Sequence, residues 1–426
     1  MTTPGAARDC SRRDGATAPL RGLTWDHPRG YLVLDALAAT AGPGDPAAQI
    51  RWDRQPLEDF ESRPLRTLAD DYDLLVIDHP GLGEAVRDGC LRPLDDLFSP
   101  GELAGWRDRT VGASFDSYRL GGQQWALPLD AAAQVSVCRP ETLGPETLGP
   151  ETLGPETLRP ETLRPETLDE RPASWADAIK AAGAQPTALC LGGPHALLMF
   201  AAICVASGRR PAATPGEFVP TGAGRAALGI MAGLLAHADR EVSQRNPIGV
   251  LDAMTAPGGP SYCPLVYGYV TYHRPERGPQ RLTAFDAPAG PGGIGSVLGG
   301  TGIAVTRSAA QTTAQAAVVA GLLRTLLSEP VQVGLYAELG GQSSLRPAWQ
   351  DSGADERSGG FYRATRRTVE SAWVRPRFAG YPAFQAAASA VLRDGLLAGE
   401  DHASMLGRVN ELFARSWETG GRERAG

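Results

Sequence analysis

Leu23-Thr24-Trp25-Asp26-His27-Pro28-Arg29-Gly30 and, some fifty residues later, Asp73-Leu74-Leu75-Val76-Ile77-Asp78-His79-Pro80 share one pattern. Each reads as an apolar strand that stops at Asp-His-Pro. Proline biases the residue before it away from the helical region, so each His is expected in extended or turn geometry just past a strand end. In open α/β sheets, ligands bind outside the carboxyl ends of the strands. Two Asp-His pairs at two such ends therefore point to a polar cleft. The competing reading is that each Asp merely caps a strand-to-helix turn, a position Asp commonly takes.

Working outward, strand and helix patterns alternate. Leu20–Trp25 reads as a strand, 31–39 as a helix, 49–52 as a strand, 57–68 as a helix and 73–77 as a strand. Such alternation predicts a parallel sheet with crossover helices. Residues 114–118 and 124–127 flank Gly121-Gly122 as a hairpin. Beyond residue 174 the pattern is mixed: helices at 175–182, 195–206, 224–238 and 247–254, a strand at 187–191, and extended runs at 262–272 and 281–285. Glycine-rich 290–302 leads into a returning strand near residue 303, and helical patterns fill the remainder. Between lies Pro-Glu-Thr-Leu, repeated from Pro140, Pro145, Pro150, Pro155, Pro160 and Pro165. A proline every fifth residue forbids a long helix, and one Leu in five matches neither helical nor strand period. It reads as a surface-loop expansion, with a binding role as the alternative.

The chain has 426 residues, 42% hydrophobic and 21% charged, with a formal net charge of −7. That is enough for two or three domains and gives nucleic-acid binding no electrostatic support. Lys180 is the one lysine. Cys10, Cys90, Cys138, Cys190, Cys204 and Cys263 are scattered without a Cys-x-x-Cys pair, so neither a zinc site nor a disulfide framework is expected. Residues 1–20 read as a disordered polar lead with no apolar h-region. The apolar run 196–206 is short of the roughly 20 residues a bilayer needs. As written, the chain reads as cytoplasmic; an export signal upstream of Met1 would place it outside.

Three further segments bear on the fold. Trp125-Ala126-Leu127-Pro128-Leu129-Asp130 follows the Gly-Gly turn, Leu298-Gly-Gly-Thr-Gly-Ile-Ala-Val305 puts glycines ahead of a strand, and Gly340-Gly-Gln-Ser-Ser-Leu-Arg346 closes a helix. With Pro172-Ala-Ser-Trp175 at a helix start, these resemble, over about 21–416, the solute-binding proteins of ABC importers, in the sugar-binding group that includes maltose-binding protein. The resemblance implies an α/β type II periplasmic-binding fold, with two lobes closing on a ligand by hinge motion. Lobe one would be 21–129 plus 303–345, lobe two 131–300 carrying the 140–168 repeat loop, and 346–426 helices packing on both. The hinge would cross near 129–133 and 302–305.

The implied ligand is a small polar solute, a sugar or a carboxylate. The implied partners are permease subunits of an importer, with the chain itself a monomer, no cofactor and no metal. Candidate ligand residues are Trp25, Asp26, His27, Arg29, Asp78, His79, Asp130, Tyr262, Tyr267, Gly300, Thr301, Trp349 and Arg375. Aromatic faces would hold the ligand body while Asp, His and Arg fix its polar groups. Period two would put Tyr267 and Tyr269 on one face and Tyr262 and Tyr272 on the other. His195, His237 and His402 lie in helical patterns and read as structural or exposed. A fold does not fix function, so a cytoplasmic enzyme or sensor is the alternative. In it, Asp26, His27, Asp78 and His79 would converge on a divalent metal or supply a general acid or base. The glycine run lacks Gly-Lys-Ser/Thr, and neither Gly-x-Ser-x-Gly nor His-Glu-x-x-His occurs.

Overall fold

The structure is a computed structural model that describes residues 19–143 and 171–420. Most of the expected N-terminal lead and nearly all of the Pro-Glu-Thr-Leu repeat lie outside the described residues. The repeat's first copy begins with a short turn, Pro140–Thr142, and Leu143 is buried behind it.

Leu20–Trp25 is the first strand, flanked in parallel by Ile50–Gln55 and Leu74–Ile77. All four side chains of Leu74–Ile77 are buried, as expected of a central strand covered on both faces. The returning strand Leu298–Thr306 runs antiparallel beside it, pairing Ile303 with Val76. The long strand Ala126–Cys138 follows, then Tyr262–Tyr267 and Thr283–Phe285.

Two strands therefore cross from one half of the molecule to the other. In Ala126–Cys138, Ala126–Pro128 pair with Gly302–Ala304 beside the parallel strands, while Gln134–Cys138 pair with the second half. The register slips where they cross: Thr301 faces Asp130, but Gly302 faces Pro128, leaving Leu129 as an extra residue. This bulge frees two backbone groups, and side chains satisfy both. The Leu129 carbonyl accepts from Gln332 Nε2 at 3.1 Å, and the Thr301 N–H donates to Asp130 Oδ1 at 2.7 Å. Gly300 (φ 99°) sits beside the bulge, where a Cβ would lie 2.5 Å from the Asp130 carbonyl oxygen.

The loop after Tyr336–Leu339 clamps the crossing. Ala131 N donates to the Gln342 carbonyl, Gln342 Nε2 donates to the Ala131 carbonyl, and Ser344 Oγ donates to the Pro128 carbonyl. The C-terminal helices Tyr381–Ala398 and His402–Gly420 bury Phe384, Leu392 and Phe413 against Phe200 and Phe218 of the second half. The segment before them reaches the first half: Arg377 donates to the Asp116 carbonyl and Gly380 N to Glu84. The result is the expected two-lobed α/β architecture with C-terminal helices.

Several local expectations are corrected. The helix expected over 57–68 is two, Leu57–Ser62 and Leu65–Ala69, because Pro64 interrupts it. The hairpin is only Arg119–Leu120 with Gln123–Gln124, preceded by a helical turn at Asp116–Tyr118. Residues 187–191 form no strand; only Thr187 bridges. The extended run from Tyr262 ends at Tyr267, and a turn of 3-10 helix follows at Val270–Tyr272.

Candidate ligand-binding site

A cavity of about 60 Å³ lies at the crossing. By the usual 10–15 Å³ per water this is room for roughly five small atoms or waters. From the first lobe, Trp25, Arg29, Leu57, Phe60 and Asp78 line it. The crossing strands contribute Ala132, Gly299, Gly300 and Thr301. The second lobe supplies Pro194, His195, Leu198, Tyr267 and Tyr269, and the C-terminal segment Arg375 and Gln385.

Arg29 opens the helix Pro28–Thr40, whose N-cap is His27: its Nδ1 accepts from Arg29 N at 3.2 Å. The guanidinium turns inward and is buried. Its Nε donates to Asp130 Oδ2 at 2.5 Å, and its Nη1 to the Gly268 carbonyl of the second lobe at 3.3 Å. Its cationic centre lies 4.9 Å from the Tyr269 ring and 5.7 Å from Trp25. Asp130 also accepts from Thr301 Oγ1 at 3.2 Å, so both its oxygens are committed.

A second buried pair faces the first. Asp78, just past Leu74–Ile77, accepts from Arg375 Nη2 at 2.8 Å on each oxygen. Arg375 Nη1 donates to Gln385 Oε1 at 3.3 Å. Arg375 hangs from Trp373, whose carbonyl accepts from Leu298 N and whose N–H donates to the Ser296 carbonyl. The pair thus ties a first-lobe strand end to a segment anchored on the second. Burial alone would raise the Asp78 carboxyl, but the Arg375 guanidinium, aided by His79, holds it well below the usual carboxylate range.

The histidines here are neutral at ordinary pH. Burial, with Arg29 and Arg277 nearby, lowers His27 to about 3. Burial and Arg375 lower His79 to about 4 and His195 to about 3. His27 stacks on Trp25, ring centroids 4.9 Å apart. His195 meets Tyr267 edge-on at 5.7 Å.

Of the sequence-derived candidates, Trp25, Arg29, Asp78, Tyr267, Gly300, Thr301 and Arg375 line the cavity. His27 and Asp130 stand one layer behind it, holding Trp25 and Arg29. Four candidates lie elsewhere. The Asp26 side chain is 62% exposed and faces Arg54 on the surface, because at the strand end its neighbour Trp25 takes the inward position. His79 is fully buried behind Asp78, edge-on to Tyr118. Tyr262 packs with Cys138, Leu143, Ala181 and Phe285 in the second lobe. Trp349 is core: its Nε1 donates to the Ser343 carbonyl and its rings meet Phe361 and Tyr362. The two Asp-His pairs do not converge, and among the described residues no group of three His, Cys, Asp or Glu could hold a metal ion. The five described cysteines are buried and form no disulfide.

Sequence reasoning missed Leu57, Phe60, Ala132, Pro194, Leu198 and Gln385 as cavity walls, and read His195 as structural or exposed. The signal for His195 was its place at the start of the apolar helix His195–Ala206, just after Gly192-Gly193-Pro194. Gly299 and Tyr269 also line the cavity without having been candidates; a Cβ at Gly299 would lie 2.6 Å from the Tyr267 ring, so the glycine lets that ring lie in the wall.

No protein-family model matches the chain, and no curated protein does. Solved structures do. An ABC-transporter solute-binding protein from Agrobacterium radiobacter in complex with ribitol superposes with a TM-score of 0.73 at 15% identity, covering 94% of this chain and 98% of the other. A maltose-bound protein of T. maritima gives 0.71 at 14% identity, covering 93% and 98%. UgpB from Mycobacterium tuberculosis in complex with glycerophosphocholine gives 0.69 at 14%, covering 95% and 99%. At these identities the likeness shows the fold: the two-lobed type II architecture of ABC-importer solute-binding proteins.

Proposed function

We propose that this chain captures a small polar solute between its lobes by hinge closure and serves as the substrate receptor of an ABC-type importer. The observation that carries the proposal is the cavity at the lobe crossing, walled by both lobes, both crossing strands and Arg375. Lobe one is then 21–129 with 303–345, lobe two 131–300, and the helices after 346 span both. The ligand touches Trp25, Arg29, Asp78, Tyr267, Gly300, Thr301 and Arg375. Ribitol, maltose and glycerophosphocholine in the similar structures support a small polar ligand.

Binding without turnover fits the commitments of the acids, since Asp78 and Asp130 are each engaged by an arginine rather than open to act as a base. Native mass spectrometry of the purified chain, with small-angle scattering before and after removal of any bound molecule, tests this. The expected result is a co-purifying solute of low mass, released unchanged, whose removal expands the protein. A solute recovered chemically altered, or scattering indifferent to it, would sink the proposal.

A further inference from the structure

The short helix Leu57–Ser62 bridges from the first lobe to the second beside the cavity. Leu57 and Phe60, one turn apart, line the cavity, and the Phe60 ring stacks on Trp25 with centroids 5.9 Å apart. Beyond Phe60 lies a second cavity of about 50 Å³, and Phe60, Asp78 and Gln385 line both. The outer cavity reaches the surface at Ser62, Arg63 and Pro64, which are exposed, and its far side carries Pro382 of the C-terminal helix. Of the three shared side chains, Asp78 and Gln385 are held by Arg375. Phe60 has no such polar anchor, so it is the one free to move aside.

The helix is lightly held. Pro56 and Pro64 bracket it, its N-terminus has no side-chain cap, and Leu57 and Phe60 are only half-buried. It meets the second lobe through a surface hydrogen bond, from Asn246 Nδ2 to Glu58 Oε1 at 3.3 Å. Asn246 is set for that contact: its Oδ1 caps the helix Pro247–Thr255, accepting from Gly249 N at 2.9 Å, and so leaves the amide N–H groups for Glu58. Other ties near the cavity are of a different kind. Arg375 with Asp78, and Arg29 with the Gly268 carbonyl, are buried, and buried charged groups are costly to leave unmet. Lifting the helix breaks an exposed hydrogen bond and uncovers two half-buried side chains. Separating the lobes breaks the buried ties as well.

Resting on the solute-capture reading above, we propose that Leu57–Ser62 is a gate. With the lobes closed, solute passes between the outer and inner cavities when this helix lifts; Phe60 bars the way and the Glu58–Asn246 contact is the latch. Lightly held elements open locally while the rest of a fold stays intact. Neither Glu58 nor Asn246 lines the cavity, so the latch acts on passage rather than on the seated solute.

The test reads access to the inner cavity with iodoacetamide, a small neutral probe, on the full chain. A reporter thiol is placed on the wall in a Cys10→Ser background, the described native cysteines being buried. Ala132→Cys on the crossing strand and Leu198→Cys on the second lobe are used separately, so that one serves if the other fails to fold. Where closing outpaces alkylation, the rate follows the open population. Asn246→Asp keeps the helix cap but sets a like charge against Glu58, so it should speed alkylation about threefold or more, with urea midpoint and small-angle scattering unchanged. Adding Glu58→Lys restores an attraction and should bring the rate back to within about twofold of the reporter alone. Phe60→Ala removes apolar burial that holds the helix down and should speed alkylation about tenfold. Rates indifferent to both Asn246→Asp and Phe60→Ala overturn the gate, as does a rise that Glu58→Lys fails to reverse. A rise that comes with an expanded scattering profile assigns entry to lobe separation and overturns it too. None of these outcomes decides solute capture, which stands or falls on the co-purifying molecule.

Discussion

Breaking the Asp78–Arg375 pair from one side should be far more damaging than removing it whole. The Arg375 side chain is 4% exposed and that of Asp78 22%, with both carboxylate oxygens 2.8 Å from Nη2. At an effective dielectric constant near 20, charges about 4 Å apart attract by about 4 kcal/mol. Asp78→Asn leaves a buried guanidinium without its counter-charge, for an expected loss of about 3 kcal/mol, and Arg375→Met strands the carboxylate similarly. Asp78→Asn with Arg375→Met removes both charges at similar volume and should cost no more than about 2 kcal/mol, giving a coupling of about 4 kcal/mol. Urea melts at pH 7 on all four proteins read this directly. The linkage has a definite sign: the folded carboxyl titrates below its unfolded value, so the pair's contribution is present above about pH 4 and is lost as pH falls through the lower folded value. The wild type should therefore lose this increment in acid while the double variant, having none, should not. A coupling below about 0.5 kcal/mol would refute the view that this pair ties the lobes, and equal acid sensitivity of wild type and double variant would refute the linkage.

The buried histidines should make the protein acid-sensitive before its carboxylates titrate. His27 and His195 fold with values near 3, His79 and His273 near 4, all below the unfolded 6.5, so each contributes stability above about pH 6.5 that declines as pH falls toward the folded values. By pH 5 the loss is about 2 kcal/mol per histidine, read as a falling urea midpoint; a midpoint flat from pH 7 to 5 contradicts it. Gly300→Ala should destabilise by at least about 2 kcal/mol, from a positive φ plus overlap with the Asp130 carbonyl, and a neutral effect in thermal melts would show that the bulge can relax. Trp349→Ala should lose about 3–5 kcal/mol in urea melts, yet leave ligand affinity, measured below the melting point, within about threefold; a selective loss of affinity would return Trp349 to the cleft.

The chain's local periodicities carried the parallel strands and the returning strand, because each is decided by neighbours a few residues apart. Leu20–Trp25 and Leu74–Ile77 end where the Asp-His-Pro pattern stops them. What the pattern could not say is which way the last residues turn. At the first strand end Trp25 points in and Asp26 out; at the second Asp78 lies on the wall and His79 is buried behind it. The difference comes from partners remote in the chain: Asp78 faces in because Arg375, 297 residues away, meets it there, whereas Asp26 meets Arg54 at the surface. Likewise Arg29 reaches Asp130 across 101 residues, at a bulge whose Pro128 and Gly300 mark a break in the strands but do not say which side chain meets Asp130.

The same distances explain why ligand chemistry is hard to read from residue types alone. A sequence shows that two aspartates, two arginines and several aromatic residues stand near strand ends. It does not show that the aspartates are consumed by the arginines, or that one arginine already occupies the aromatic face a cation would need. Once those internal pairs are subtracted, much of what remains on the wall is apolar or aromatic: Leu57, Phe60, Pro194, Leu198, Tyr267 and Tyr269. Specificity in such a site is set by that remainder, because a ligand polar group that finds no partner there loses roughly what its desolvation costs, whatever ion pairs surround it.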